Sequence, residues 1–245
     1  LEHFRNFYLV FMLLFLALFP PLFIIYKIYK LDKYEKEPLK EIIITFILGC
    51  LTVVPVLIVS PLINSLLEIP YTFVDFLGSG LIGGAEIKTL IYTFIGIALV
   101  EEYFKFLVLT KYSFKREAFN EPMDGIVYGV IASMGFALIE NIIYVYGNTE
   151  QSFFVAIVRM FSAIPAHALM GVIMGYYVGK AKFDIQNRKT LMLKGLFGAI
   201  LLHGAYDYFL FSKLGIGIFA FVSLIVSYKI AKKAIKESQE SSPFK

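Results

Sequence analysis

Charge is scarce in this chain. Of 245 residues only 17% are Asp, Glu, Lys or Arg, against about 25% in soluble domains, while 58% are hydrophobic and the mean hydropathy is +0.74. An ordinary soluble domain is thereby excluded, and no stretch reads as one. Cys50 is the single cysteine, so no intramolecular disulfide can form, and it reads as inert. There is no His-Glu-x-x-His helix, which removes the usual zincin arrangement. No Gly-x-Ser-x-Gly or similar serine motif lies in an apolar stretch, and no aspartate pair with a Gly-Asp signature is present. Internal repeats are missing as well, which argues against an ion-coupled transporter built from inverted halves.

What is present is a succession of apolar runs near the roughly 20 residues needed to cross a hydrocarbon core. Seven are expected as spans, near Phe7–Tyr29, Glu41–Ile63, Lys88–Leu109, Met123–Tyr146, Ser152–Gly179, Leu191–Phe211 and Leu214–Ile230. The first is too long for a signal peptide, lacks a cleavage site and ends in Lys, so it reads as a retained span. Residues 1–245 are taken as a single all-α, integral-membrane helix bundle, with its motifs in 88–211 and a polar tail over 232–245. The stretch Asn64–Ile87 is expected to be a long connection, interfacial or re-entrant.

Basic residues near span ends stay predominantly cytoplasmic. Lys27, Lys30, Lys33, Lys36 and Lys40 fall between spans one and two, and Lys111, Lys115 and Arg116 between three and four. Lys180, Lys182, Arg188, Lys189 and Lys194 join spans five and six, and Lys229, Lys232, Lys233, Lys236 and Lys245 occupy the tail. Only Arg5, Lys88 and Lys213 lie on the other side. The expected topology has the N-terminus outside and the C-terminus cytoplasmic, in a prokaryotic plasma membrane. The net charge of +4 is a topology signal and calls for no nucleic acid.

Against this apolar background a few ionisable residues stand inside the spans: Glu101, Glu102 and Lys105, then Glu140, Arg159, His167, and His203 with Asp207. Such charges are expensive and mark function. Residues four apart share a helix face, so His203 and Asp207 project together on a stripe running back through Ala199 and Gly195. His167 heads a second stripe through Gly171, Gly175 and Gly179; Asn141 ends a third through Gly125, Gly129, Ser133 and Ala137, with Glu140 adjacent. Small residues at that spacing allow close helix approach. Glu101 and Glu102 cannot both ionise cheaply in low dielectric, so one is expected to hold a proton while Lys105 keeps the other charged. Arg159 reads as paired with a carboxylate or extended to the interface.

Two chemistries fit these residues. Glu140, His167 and His203 could ligate a divalent metal, zinc for preference, with Asp207 as a further ligand or orienting His203. Without metal, Glu101 could activate a water while His203 and Asp207 stabilise an oxyanion.

The motifs Glu101-Glu102-Tyr103-Phe104-Lys105, Phe136-Ala137-Leu138-Ile139-Glu140-Asn141 and His203-Gly204-Ala205-Tyr206-Asp207, with Pro165-Ala166-His167, occur in order on successive spans. Together they resemble the PrsW family of intramembrane proteases, distantly related to the CAAX prenyl endopeptidases. The resemblance implies site-1 cleavage of a membrane-anchored anti-sigma factor, a single-pass protein, near its extracytoplasmic boundary. It further implies that Glu101 activates the water, that Glu102 assists, and that His203 and Asp207 occupy the oxyanion or metal position. Lys105, Asn141 and Arg159 would support the site. Glu140 would stand where the prenyl proteases carry a histidine. The alternatives are a non-catalytic scaffold of the same fold and an ion-coupled transporter. Counting about 1.5 Å per residue along the spans places Glu140 and Asp207 in the outer half, so the polar funnel is expected to open outward.

Overall fold

The computed structural model describes residues 2–77, 84–147 and 151–245. All regular structure among them is helical: α1 (Glu2–Leu31), α2 (Leu39–Leu51), α3 (Val53–Leu77), α4 (Gly84–Ile91), a π-helical stretch (Tyr92–Leu99), α5 (Val100–Leu107), a second π turn (Val108–Tyr112), a short 3-10 turn (Ser113–Lys115), α6 (Pro122–Gly147), α7 (Ser152–Phe161), α8 (Ala163–Phe183), α9 (Arg188–Phe211) and α10 (Ile218–Glu240). The chain is an all-α membrane helix bundle. Four stretches are long and apolar enough to cross a bilayer: Val10–Leu31, Leu39–Leu67, Pro122–Gly147 and Ser152–Phe183.

Two of those stretches are broken by the same device. Thr52 and Ser162 each stand three residues before a proline, Pro55 and Pro165. A proline in the first turn of a helix needs no hydrogen-bonding partner, but it cannot continue the preceding helix. The hydroxyl at each break donates back into the preceding helix: Thr52 Oγ1 to Gly49 O at 2.6 Å and Ser162 Oγ to Val158 O at 2.7 Å. Over the expected connection Asn64–Ile87, α3 continues as helix to Leu77, with Pro61 and Pro70 inside it, and α4 begins at Gly84. Residues 78–83 lie outside the described residues.

Helix α6 is the axis of the bundle. It is apolar or small on every face, and Pro122–Leu138 is buried throughout, as expected for a helix without a polar side. Its glycines explain the packing. A Cβ on Gly125 or Gly129 would run into the carbonyls of Gly175 or Gly171 on α8, and one on Gly135 into the carbonyl of Phe46 on α2. The stripes read from the sequence on α6 and α8 therefore meet each other backbone to backbone. The α9 stripe seats Gly195 against Met174 of α8, and Gly204 lies under the Phe94 ring of the π stretch.

At the α6 start, four carboxylates are buried together: Asp32, Glu37, Glu121 and Asp124. Asp124 Oδ2 accepts the backbone N–H groups of Asn120 and Glu121 at 2.6 and 2.7 Å, and the Tyr128 hydroxyl donates to Glu37. Burial, and then the neighbouring Glu121, push Asp32 up to about 7. Burial, and then the hydrogen bond shared with Asp124, push Glu37 up to about 10.

Two predictions follow from this architecture. Gly175→Val must displace the Gly125 backbone, an overpacking cost of about 1–3 kcal/mol or more, and is expected to lower the melting temperature of the detergent-purified protein. The raised Asp32 and Glu37 mean that the folded state holds more protons than the unfolded chain. Their stabilising contribution is full below the ordinary carboxylate range and is lost as pH rises through about 7 and then about 10. The protein should thus melt higher at pH 5 than at pH 8, and Glu37→Gln should flatten the profile.

Candidate active site

About 24 Å further along α6 at 1.5 Å per residue, a second polar cluster occupies the bundle interior. Glu101, Glu102 and Lys105 come from α5, the single α-helical piece between the two π stretches. Widened π turns recur at functional sites. Here the turn that follows faces all three charged groups inward and leaves Tyr103 exposed.

Lys105 is the hub. Its side chain is 1% exposed, and Nζ lies 2.8 Å from Glu102 Oε1, 3.5 Å from Glu101 Oε2 and 3.1 Å from His167 Nδ1. The ammonium also sits 4.3 Å above the Phe136 ring, whose edge meets His167 at a 5.5 Å centroid separation. An ammonium has only donors, so His167 accepts at Nδ1 and donates from Nε2 to Glu140 Oε2, 2.9 Å away. Glu140 takes a second donor, the charged Arg159 Nη2, at 2.6 Å. Arg159 Nε donates to Asn141 Oδ1 at 2.9 Å, and its guanidinium lies 4.1 Å from the Tyr144 ring centre.

Asn141 is oriented from across the bundle. Pro21 has no N–H, so the Ala17 carbonyl of α1 lacks its helical partner, and Asn141 Nδ2 donates to that oxygen at 3.1 Å. On α9, His203 Nδ1 donates to Glu102 Oε1 at 2.8 Å. This leaves Nε2 directed towards Asp207 Oδ2 at 3.4 Å and Glu101 Oε2 at 3.9 Å. The two imidazoles stand edge to face, with centroids 5.2 Å apart.

All the charged residues singled out in the sequence thus belong to one constellation. Glu101, Glu140, Arg159, His167, His203 and Asp207 line a cavity of about 250 Å³ between α5, α6, α7, α8 and α9. Glu102 and Lys105 lie behind its wall. Glu101 Oε2 is buried and accepts no hydrogen bond. Where the sequence suggested Glu140 as the carboxylate grouped with the two histidines, the structure groups Glu101, His167 and His203, with ligand atoms all within 4.8 Å of one another. Glu140 instead answers Arg159 and His167. Three participants were missed in the sequence: Phe136 under the Lys105 ammonium, Pro21 through the carbonyl it frees, and Tyr206, which lines the cavity. The Phe of the Phe-x-x-x-Glu-Asn motif and the Pro20-Pro21 pair were the available signals.

A carboxylate with a free buried oxygen and two imidazoles is a hard-to-borderline donor set that suits a divalent cation. With Nδ1 committed to Glu102, a neutral His203 would carry its lone pair on Nε2, the usual carboxylate–histidine arrangement behind a metal. His167 joins such a set only by giving up one of its two present partners.

A buried acid–base cluster at the wall of a cavity inside a membrane bundle is the arrangement an intramembrane hydrolase requires. Residues 37–231 match the model of the PrsW family, described as intramembrane metalloproteases. Among relatives, the chain is 34% identical to the protease PrsW of Oceanobacillus iheyensis over 225 residues, covering 91% of this chain and 94% of that one. It is 30% identical to that of Geobacillus kaustophilus over 211 residues, covering 86% and 85%. With that of Bacillus subtilis it shares 32% identity over 183 residues, covering 74% and 75%. No solved structure matches at a significant level. The chain belongs to the PrsW family. It is a multi-pass peptidase of the cell membrane, acting on a membrane substrate within the bilayer.

The hub supplies a test of the geometry. Lys105→Met leaves the buried carboxylates uncompensated and is expected to cost about 3–5 kcal/mol of stability. Combining it with Glu102→Gln should recover part of the loss in a thermal melt; no recovery would mean that Lys105 is not held by this pair.

Proposed function

We propose that this protease cuts a single-pass, membrane-anchored regulatory protein, of the anti-sigma factor kind, near its extracytoplasmic boundary. The observation that carries the mechanism is the unbonded Oε2 of Glu101, buried at the cavity wall within reach of His203 and Asp207. Glu101 serves as the general base for a water. Glu102 holds His203 through Nδ1 and thereby fixes which nitrogen faces the cavity. His203 and Asp207 lie where the carbonyl oxygen of the scissile amide gains charge. Lys105 donates to Glu102 at 2.8 Å, and Arg159 and Asn141 fix Glu140, which holds His167.

The PrsW family is described as metalloproteases; in that alternative chemistry Glu101, His167 and His203 would hold zinc, and Glu101 would be a ligand in place of the base. Such an ion supplies Lewis acidity towards the substrate carbonyl. Seven crossings with the N-terminus outside, over a single domain spanning 1–245, accord with the distribution of Lys and Arg. The rim residues Glu140 and Arg159 retain 16% and 13% side-chain exposure, whereas Lys105 and Glu102 retain 1% and 0%, which supports an opening on the outer side. An amide inside a helix has no free carbonyl to attack, so the substrate segment must unwind locally to be cut.

Glu101→Gln and His203→Ala are each expected to abolish cleavage of a single-pass reporter in proteoliposomes without altering insertion. Elemental mass spectrometry of chelator-free wild type beside His203→Ala separates the two chemistries. Near-stoichiometric zinc that the variant loses supports the ligand role, whereas active wild type free of metal assigns the work to Glu101 with His203 and Asp207. Cleavage persisting in both variants would sink the proposed site.

A further inference from the structure

Tyr206 stands on α9 three residues after His203 and next to Asp207. Its ring belongs to the apolar cluster that includes Ala98, Ala166 and Ala199, and the residue is 3% exposed. The residue lines the cavity with Glu101, His203 and Asp207. Its hydroxyl, although buried, has no hydrogen-bond partner.

A buried hydroxyl without a partner carries its full desolvation cost, and each instance calls for an explanation. The nearest polar side chain is Ser162, and no side chain makes a well-formed hydrogen bond to the phenol. Ser162, on the same cavity, spends its hydroxyl on the Val158 carbonyl. Arg159 is engaged with Glu140 and Asn141, His167 with Lys105 and Glu140, and His203 Nδ1 with Glu102. The phenol is packed among apolar neighbours in the wall of the cavity that Glu101 also lines, and its O–H is not committed to a protein acceptor. In a peptidase, the group that arrives there is a carbonyl oxygen.

We propose that the Tyr206 hydroxyl is a catalytic donor, hydrogen-bonded to the scissile carbonyl oxygen and to the oxyanion that develops from it. This inference rests on the site proposed above. As water adds to the carbonyl carbon, its proton passes to the Glu101 carboxylate and the carbonyl π pair moves onto the oxygen facing Tyr206. On collapse the pair returns, the C–N bond breaks, and the proton held by Glu101 goes to the leaving amine. Tyr206 keeps its proton throughout, so its contribution is a hydrogen bond that strengthens as charge accumulates.

The test compares wild type, Glu101→Gln and Tyr206→Phe, each the full chain in proteoliposomes. The probe is a single-pass reporter selected from a panel of juxtamembrane sequences because wild type cuts it and Glu101→Gln does not. Tyr206→Phe is expected to lower kcat about 10²–10³-fold, the usual loss for one oxyanion donor, with KM changed less than about threefold. Its melting temperature should be equal or higher, since an unpaired buried hydroxyl has been removed. Undiminished kcat, an effect on KM alone, or a loss of activity accompanied by a lower melting temperature would each overturn the proposal, the last by revealing a structural partner. If wild type cuts no reporter in the panel in a Glu101-dependent way, the site reading fails and this inference fails with it. A Glu101-dependent wild type beside an unimpaired Tyr206→Phe variant rejects the tyrosine alone.

Discussion

Everything in the interior of this bundle is arranged around one buried ammonium. Lys105 lies within 3.5 Å of two carboxylates and a histidine and over an aromatic face. In low dielectric none of these groups could remain charged without the others. The pairings are also directional. Because Lys105 can only donate, it sets the tautomer of His167, and because Glu102 accepts from both Lys105 and His203 it sets that of His203. Two paired side chains, Lys105 and Glu102, thus determine which ring nitrogen on two separate helices is available for chemistry.

The hydrogen bonds continue outward from this hub. From His203 the sequence of contacts runs through Glu102, Lys105, His167, Glu140, Arg159 and Asn141 to the Ala17 carbonyl in α1. It begins where a proline denied a carbonyl its ordinary partner and passes through α6, α7, α8, α5 and α9. A backbone carbonyl left without its helical partner, a defect in lipid, becomes an anchor. The Ser162 break does comparable work, since it separates α7 from α8 and allows Arg159 to reach Glu140 while His167 approaches from the next helix.

Much of this was legible in the sequence, for identifiable reasons. Charged residues in apolar runs are conspicuous, and helix periodicity alone put His203 with Asp207 and aligned the glycines of α6 and α8 with the faces that meet. Pairing across helices was not legible. Spacing says which face Glu140 occupies, but not that Arg159 would claim it and leave Glu101 beside the histidines; that depends on the Ser162 break and the rotation imposed by the π stretch. The extent of α3 was also underestimated. Hydropathy fades after Ile63, although backbone hydrogen bonding has no reason to stop there.

The π stretch at Tyr92–Leu99 gives this part of the chain a property that α6 lacks. Removing a residue from a regular helix turns everything beyond it by about 100°. In α6, where glycine backbones abut neighbours on two sides, such a change would carry Glu140 and Asn141 away from their partners. A widened helix can instead absorb a deletion by tightening towards the α form, keeping Glu101 and Glu102 near their present bearing. Length variation is therefore permitted upstream of the glutamate pair and forbidden along the central helix.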